Sequence, residues 1–363
     1  MKLSNCIEII SGGTPSTSKN DFWDGDIPWI SIKDFNNSFK YIYKTEKSIT
    51  KQGLEKSSTN MLYKNDIIIS ARGTVGCLAQ IFYPMAFNQS CYGIRTINKD
   101  LMQNYLYYWL IANIDKFKKQ THGAVFDTIT KNTFNNIEIN YPSLVMQQHI
   151  VDIIGSIDDK IENNNKIIEK FNKFLKIKTN ELLLYKTKKI QLNDIIEECK
   201  EKTDIELTPY SVVNTGKVII QNEQFNKEIA KNIKGKYKKI KKDFFVYNPS
   251  RINIGSIGMM EDEIGCVSPI YIVFKCGVEY KIYLQQLLTF EFMIKEINKR
   301  CSGSVRQALP FKDLCSIEIY DIERDKLKLY NKYCENIIKT IKKLEEENLK
   351  LQQLKNNYLA KFF

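Results

Sequence analysis

Two long stretches of the chain place apolar residues at alternating intervals of three and four. The first runs Ile150, Ile154, Ile157, Ile161, Asn164, Ile168, Phe171, Leu175, Lys178 and Leu182. The second runs Tyr330, Cys334, Ile337, Ile341, Leu344, Asn348, Leu351, Lys355, Tyr358 and Phe362. That spacing predicts two coiled-coil helices, each with an asparagine in its seam. Neither stretch contains Gly or Pro beyond Gly155, so each helix can run for roughly 40 residues and span about 60 Å. Such a helix is too long to hide inside one small domain, and each is the natural partner of the other. In an antiparallel pair an a position faces a d position, and setting Asn164 against Asn348 fixes every other layer. Ile150 then meets Phe362, Ile154 meets Tyr358, Ile161 meets Leu351, Leu175 meets Ile337, and Leu182 meets Tyr330. Two layers are mixed, Lys178 with Cys334 and Ile157 with Lys355, and both lysines are expected to snorkel outward. A buried Asn pair costs stability yet rejects registers that leave one amide facing leucine. Packing of each helix in a homodimer is the competing arrangement.

Shorter patterns also occur twice. "GAVFDTITKNTFNNIEINYP" from Gly123 and "GSVRQALPFKDLCSIEIYDI" from Gly303 share a Gly-small-Val opening and an Ile-Glu-Ile close. "KLSNCIEII" from Lys2 resembles "QLNDIIEEC" from Gln191, and both read as a short amphipathic helix that opens a domain. "KNDIIISARGTVG" from Lys64 resembles "KKDFFVYNPSRINIG" from Lys241: an acidic residue, an apolar strand, an Arg and a Gly-bearing turn. A second strand follows in each, within "NQSCYGIRT" and "CVSPIYIVF", and then an apolar helix, "LMQNYLYYWLIANI" and "IYLQQLLTFEFMIKEI". The order is kept over the four pairs that follow the first, which makes an internal repeat of about 180 residues. The domain expectation is residues 1–142, a central helix over 143–187, a second domain over 188–322, and a C-terminal helix over 323–363.

Composition adds a partner. The formal net charge is +12, which suits a phosphate polymer through counterion release, although a lysine-rich proteome gives the same total. Nine scattered cysteines without a Cys-x-x-Cys, and only His122 and His149, argue against a zinc site and for reduced thiols. The N-terminus lacks the apolar core of a signal peptide and no 18-residue apolar run exists, so a soluble, cytoplasmic protein with no membrane partner is expected.

The candidate DNA contacts lie in loops. Arg72 and Arg251 occupy matching turns after a strand, where an Arg can meet a guanine edge or a phosphate; a surface salt bridge is the plainer alternative. Thr74, Ser250 and Asn253 share those turns, and Lys33 lies upstream. The hydroxyl-rich "TPSTSK" stretch supplies Thr14, Ser16, Thr17, Ser18 and Lys19 as small backbone-reaching donors. One Gly-hinged loop carries Lys119, His122, Thr128 and Lys131, and its mate carries Arg300, Ser302, Ser304, Arg306 and Gln307; a helix-capping role is the alternative. Asn88 and Gln89 are candidates too, though pairing with backbone is the commoner fate of such amides. The lysine run from Asn226 to Asp243 reads as phosphate-tracking surface or as a solvated helix face. Trp23, Trp29 and His149 read as structural.

"SGGTPSTSKNDFWDGDIPWISIKDF" (Ser11 to Phe35) resembles the opening of the first target-recognition domain of type I restriction-modification specificity subunits. "QQHIVDIIGSIDDKIENNNKIIEKFNKF" from Gln147 resembles the central spacer helix of that family, and the order recognition domain, helix, recognition domain, helix covers the chain. The second half departs from the pattern, with "ELTPYSVVNTGKVI" in place of the Gly-Gly-Thr-Pro and Ile-Pro-Trp blocks; Tyr210 and Asn214 are its candidate contacts. The resemblance implies an α+β fold: two pseudo-symmetric recognition domains, each a small twisted sheet plus helices, joined by a long antiparallel two-helix coiled coil. It also implies a non-catalytic subunit that binds a bipartite double-stranded DNA site. Two modification subunits, adenine methyltransferases that carry S-adenosylmethionine, dock on it, and restriction subunits can join; this chain itself binds no cofactor. The helix pair then acts as a ruler between readers whose sites lie about one DNA turn, ~34 Å, or a multiple apart.

Two competitors stand beside this. A fused methyltransferase needs an Asn/Asp-Pro-Pro-aromatic turn, and Tyr247-Asn248-Pro249-Ser250 lacks its second proline and aromatic. No G-x-G-x-x-G turn follows a strand, no Walker A sequence occurs, and no proline precedes an aspartate. A coiled-coil protein-interaction adaptor keeps the repeat and makes the charge incidental.

Overall fold

The strand Ile67–Ser70 is buried along its whole length. In it Ile67 and Ile69 face one core and Ile68 faces another, the period-two alternation of a strand covered on both sides. The computed structural model describes residues 1–35, 39–119, 128–221, 234–301 and 308–363. It divides into one unit of Met1–Ile168 with Lys343–Phe363 and a second unit of Glu169–Lys342.

In the first unit, Ile67–Ser70 is the middle strand of five, in the order Ile7–Ser11, Cys91–Thr96, Ile67–Ser70, Leu78–Ile81, Tyr41–Ile42. A second sheet runs Lys47–Ile49, Trp23–Ile30, Met85–Phe87, Met61–Leu62. Its central pair is parallel, with Ile30 opposite Phe87, and its outer pairs are antiparallel. Ile30, Leu62, Ile68 and Phe87 share one core. The helix Gln103–Lys119 contributes Tyr105, Leu106 and Tyr108 to the other, together with Ile67 and Ile69.

The second unit repeats that topology without a counterpart of Tyr41–Ile42, and adds the antiparallel pair Lys186–Gln191 and Glu318–Ile322. One sheet runs Ile196–Glu198, Ile272–Cys276, Phe245–Tyr247, Ile257–Met259; the other runs Val218–Ile220, Pro209–Val212, Ile264–Val267, Lys238–Lys241. The central pair of the latter is again parallel, Tyr210 opposite Val267. Phe245 and Tyr247 face one core and Val246 the other. The internal repeat inferred from four sequence pairs is thus a repeat of strand order and strand sense.

Two local expectations are corrected. The stretches from Lys2 and Gln191 are single 3-10 turns, Leu3–Asn5 and Leu192–Asp194, followed by strands Ile7–Ser11 and Ile196–Glu198. Their isoleucines are β-branched and pair along Cys91–Thr96 and Ile272–Cys276, which an isolated helix could not match. The apolar helix expected after the second strand is two helices, Lys281–Leu287 and Glu291–Arg300. Between them the Thr289 hydroxyl donates to the Gln286 carbonyl and Phe290 turns extended.

The helices Leu144–Leu182 and Arg324–Phe362 both form. In the first unit Ile150 and Ile154 share a core with Tyr358, Leu359 and Phe362, and Asn164 Nδ2 donates to Asn348 Oδ1 at 2.9 Å. Rising numbers on one helix meet falling numbers on the other, so the pairing is antiparallel. In the second unit Leu175 and Leu182 share a core with Ile337, Cys334 and Tyr330, and the Thr179 and Tyr330 hydroxyls lie 2.7 Å apart. Lys178 turns outward to Glu181, as expected. Lys355 does not: its ammonium donates to Asp158 Oδ1 at 2.6 Å, with side-chain exposures of only 11% and 9%. Asp158 Oδ2 accepts the Tyr108 hydroxyl at 2.9 Å, which ties the helix Gln103–Lys119 to this layer. Lys355 has a buried carboxylate within reach and so has no reason to seek solvent.

Replacing Lys355 by Ala strands the Asp158 charge, and urea unfolding is expected to show a loss of about 3–5 kcal/mol. The double variant Asp158→Asn/Lys355→Met should recover most of it.

Candidate nucleic-acid interface

The glycines of "SGGTPSTSK" are required by contact. A Cβ on Gly12 would lie 2.1 Å from the Asn88 carbonyl oxygen, and one on Gly13 would lie 2.4 Å from the Ser58 backbone. The segment therefore lies flush against the turns at 58–60 and 88–90. Gly13 N donates to Phe87 O at 3.0 Å, Trp29 Nε1 to Gly13 O at 3.1 Å, and Asn60 Nδ2 to Ser11 O at 2.9 Å. The Thr14 hydroxyl donates to Gln89 Oε1. Ala71 N and Arg72 N both donate to Ser90 O, at 2.7 and 3.3 Å, and Ile129 N reaches Ala71 O at 3.0 Å. Four loops, bearing Thr14, Gln89, Arg72 and Thr128, are joined in this way at one end of the sheets. Arg72 and Thr74 are exposed there, and Gly76 closes their turn at φ 88°.

The second unit builds the same end differently. A Cβ on Gly258 would lie 1.9 Å from Gly216 O, and one on Gly255 would lie 2.4 Å from Asn214 O. Gly255 adopts φ 91°, so its own turn also excludes a side chain. The Ser256 hydroxyl donates to Val212 O at 2.8 Å, and Arg251 N donates to Asn248 O at 3.0 Å. Leu309 N donates to Pro249 O at 3.1 Å, the counterpart of Ile129 N on Ala71 O. Asn214, Ser250 and Arg251 are exposed and Asn253 is half-buried.

The remaining candidates divide. Ser16, Thr17, Ser18 and Lys19 are exposed, with the Ser16 and Ser18 hydroxyls 2.9 Å apart and Lys19 over the Phe22 ring. Lys33 pairs with Glu46 at 3.5 Å. Asn88 spends its Oδ1 on the backbone of Ser90 at 3.1 Å, the common fate of such an amide. Lys119 ends the helix Gln103–Lys119 and Lys131 opens the helix Lys131–Asn135, both exposed. Tyr210 is buried and its hydroxyl donates to Asp262 at 2.7 Å, which removes it from the exposed set. Arg300 turns back on its own helix to Glu296 and on to Ser316. His122, Ser302, Ser304, Arg306 and Gln307 lie outside the described residues, as does much of the lysine run from Asn226. Its described end is not a helix face but the edge strand Lys238–Lys241, where Lys239 and Lys241 pair with Glu201. Asn60 was missed by the sequence reading; nothing in its local pattern marks it. Cys91 packs beneath the Asn88–Ser90 turn, and burial pushes its thiol up to about 12, so it fills space rather than attacks. Among the described residues no group of His, Cys, Asp and Glu could hold a metal ion.

Residues 1–173 match the family model described as the type I restriction modification DNA specificity domain. The type I restriction enzyme MjaIX specificity subunit of Methanocaldococcus jannaschii is 35% identical over 178 residues, 47% of this chain and 40% of that protein. The HindI specificity subunit of Haemophilus influenzae is 29% identical over 171 residues, 44% of this chain and 36% of that protein. The matched stretches thus span less than half of these curated relatives. Among solved structures, the S subunit of a type I restriction-modification system from M. genitalium aligns over 100% of this chain and 95% of its own. Its TM-score is 0.60 at 14% identity, a shared fold.

The close approach at Gly258 sets a thermal test. Gly258→Ala must push the 216 turn away and should lower the stability of the second unit by about 1–3 kcal/mol. Gly155→Ala, whose Cβ would meet only the Tyr108 hydroxyl at 3.6 Å, should raise Tm through a helix gain of about 0.8–1 kcal/mol.

Proposed function

We propose that this chain, whose residues 1–173 match the family model of the type I restriction modification DNA specificity domain, is the DNA-reading specificity subunit of a type I restriction-modification complex. One observation carries the reading. The same loop-bearing sheet end is built twice, each time with an exposed arginine, Arg72 or Arg251, before a left-handed glycine, Gly76 or Gly255. A chain of net charge +12 with two such ends suits a bipartite duplex site, one half read by residues 1–142 and the other by residues 188–322. Arg72, Thr74, Thr14 and Gln89 on the first, and Arg251, Asn253 and Asn214 on the second, are the contacts we assign. Phosphates supply affinity and base edges supply sequence.

The chain positions and does not catalyse. Two modification subunits, adenine methyltransferases charged with S-adenosylmethionine, dock on it, and restriction subunits complete a cleaving form. The helix pair supports such docking, because apolar side chains remain exposed on it: Val145, Ile167, Leu349 and Leu354 in one unit, Ile177, Leu329 and Tyr333 in the other. The complex is assigned to the cytoplasm, where its DNA lies; among the described residues no helix is long and apolar enough to cross a membrane.

The test is salt-titrated binding by the complex reconstituted with its modification subunits. Affinity for the cognate duplex is expected to fall linearly in log–log with salt and to exceed that for unrelated duplexes by about 10³-fold or more. Arg72→Ala and Arg251→Ala should each cost about 1–3 kcal/mol and relax preference in one half-site only. Equal binding to all duplexes would refute the reading.

A further inference from the structure

The two reading ends differ in polarity. In the first unit the turn residue Val75 is half-buried against the helix-side core, and Ser90 sits on the neighbouring turn. In the second unit the corresponding residues are Ile254 and Ile270, 57% and 62% exposed. Both belong to the same end of one sheet. Tyr247 pairs with Ile257 on one side and Ile272 on the other, so the 248–256 loop and the 268–271 turn leave the sheet together.

Neither isoleucine is a loose surface residue. Ile254 N donates to Arg251 O at 3.2 Å, and Ile252, two residues earlier, is buried in the core. Gly255 closes the turn against Asn214 O. Ile270 is held by Tyr271, which is buried and whose N–H donates to Ser268 O at 3.0 Å. The result is two branched apolar tips on rigid turns, flanked by Arg251, Ser250 and Asn214. Single exposed apolar residues are ordinary; two on adjoining turns beside an exposed arginine are a surface with a purpose. In unmodified DNA the apolar group on a major-groove base edge is the thymine C5-methyl.

We propose that Ile254 and Ile270 read thymine methyl groups in the second half-site, which is thus recognised partly by apolar contact. The proposal rests on the DNA-reading function above. Its test uses the complete complex with its modification subunits and the genomic site. The second half-site is identified as the one whose preference Arg251→Ala relaxes. Each thymine there is replaced in turn by deoxyuridine, which removes only the methyl.

At one thymine or more, affinity is expected to fall about fourfold or more per methyl. Ile254→Ser and Ile270→Ser should erase that difference, leave the melting temperature unchanged, and leave deoxyuridine substitutions in the other half-site without added effect. Thymine and deoxyuridine bound equally at every position of that half-site would overturn the proposal while leaving the function intact. Loss of modification subunits from the Ser variants, with thymine preference kept, would make the pair a protein contact and also overturn it. Failure to prefer the genomic site at all would overturn the function itself.

Discussion

The antiparallel pairing of the two long helices depends on one amide contact. Asn164 Nδ2 donates to Asn348 Oδ1 at 2.9 Å, and Asn348 Nδ2 donates in turn to Asn165 Oδ1 at 2.8 Å. An amide buried against leucine would lose these bonds, so any shift of register costs both partners. The apolar layers of the first unit, Ile150 and Ile154 against Tyr358, Leu359 and Phe362, supply the adhesion, but apolar contact is non-directional and tolerates sliding. The polar contact is what specifies a single alignment. Six residues before Asn164, Asp158 repeats the device with charge, held between Lys355 and the Tyr108 hydroxyl. That layer also fastens the helix pair to the sheet-bearing part of its own unit. Gln147 does the same at the helix start, bonding the backbone of Met102, Asp100 and Pro142.

The two units share strand order, strand sense and a loop end, yet they invest that end differently. The first closes its loops through side-chain polar contacts, Thr14 on Gln89 and Asn60 on Ser11. Both also use glycine close approaches, at 12 and 13 in the first and at 216, 255 and 258 in the second, but the second leaves two isoleucines outward. One scaffold with two loop chemistries fits the proposed reading of two different half-sites, because loops can vary while the sheets retain their core.

Much of this was legible in the sequence. Heptad spacing is long-range and redundant, so the helices and the Asn164–Asn348 register followed from it directly. The repeat was legible because the apolar strands around Ile68 and Val246 and the glycines at 76 and 255 are constrained by burial and by φ. The short stretches at Lys2 and Gln191 were misread because four or five apolar residues fit either a helix turn or a strand. The fate of Lys355 was hidden because its carboxylate lies on the other helix and its tyrosine on a third element. Tyr210 and Arg300 read as available until their partners, Asp262 and Glu296, were seen. Asn60 gave no signal, since its place beside Ser11 at the loop end of the sheets is made by folding alone.

Methylome sequencing of cells with and without this chain tests the account most directly. The account predicts a chain-dependent bipartite motif, two short specified segments separated by an unspecified gap of fixed length, with modified adenines in both. A chain-dependent motif that is contiguous, or a methylome unchanged by loss of the chain, would contradict it.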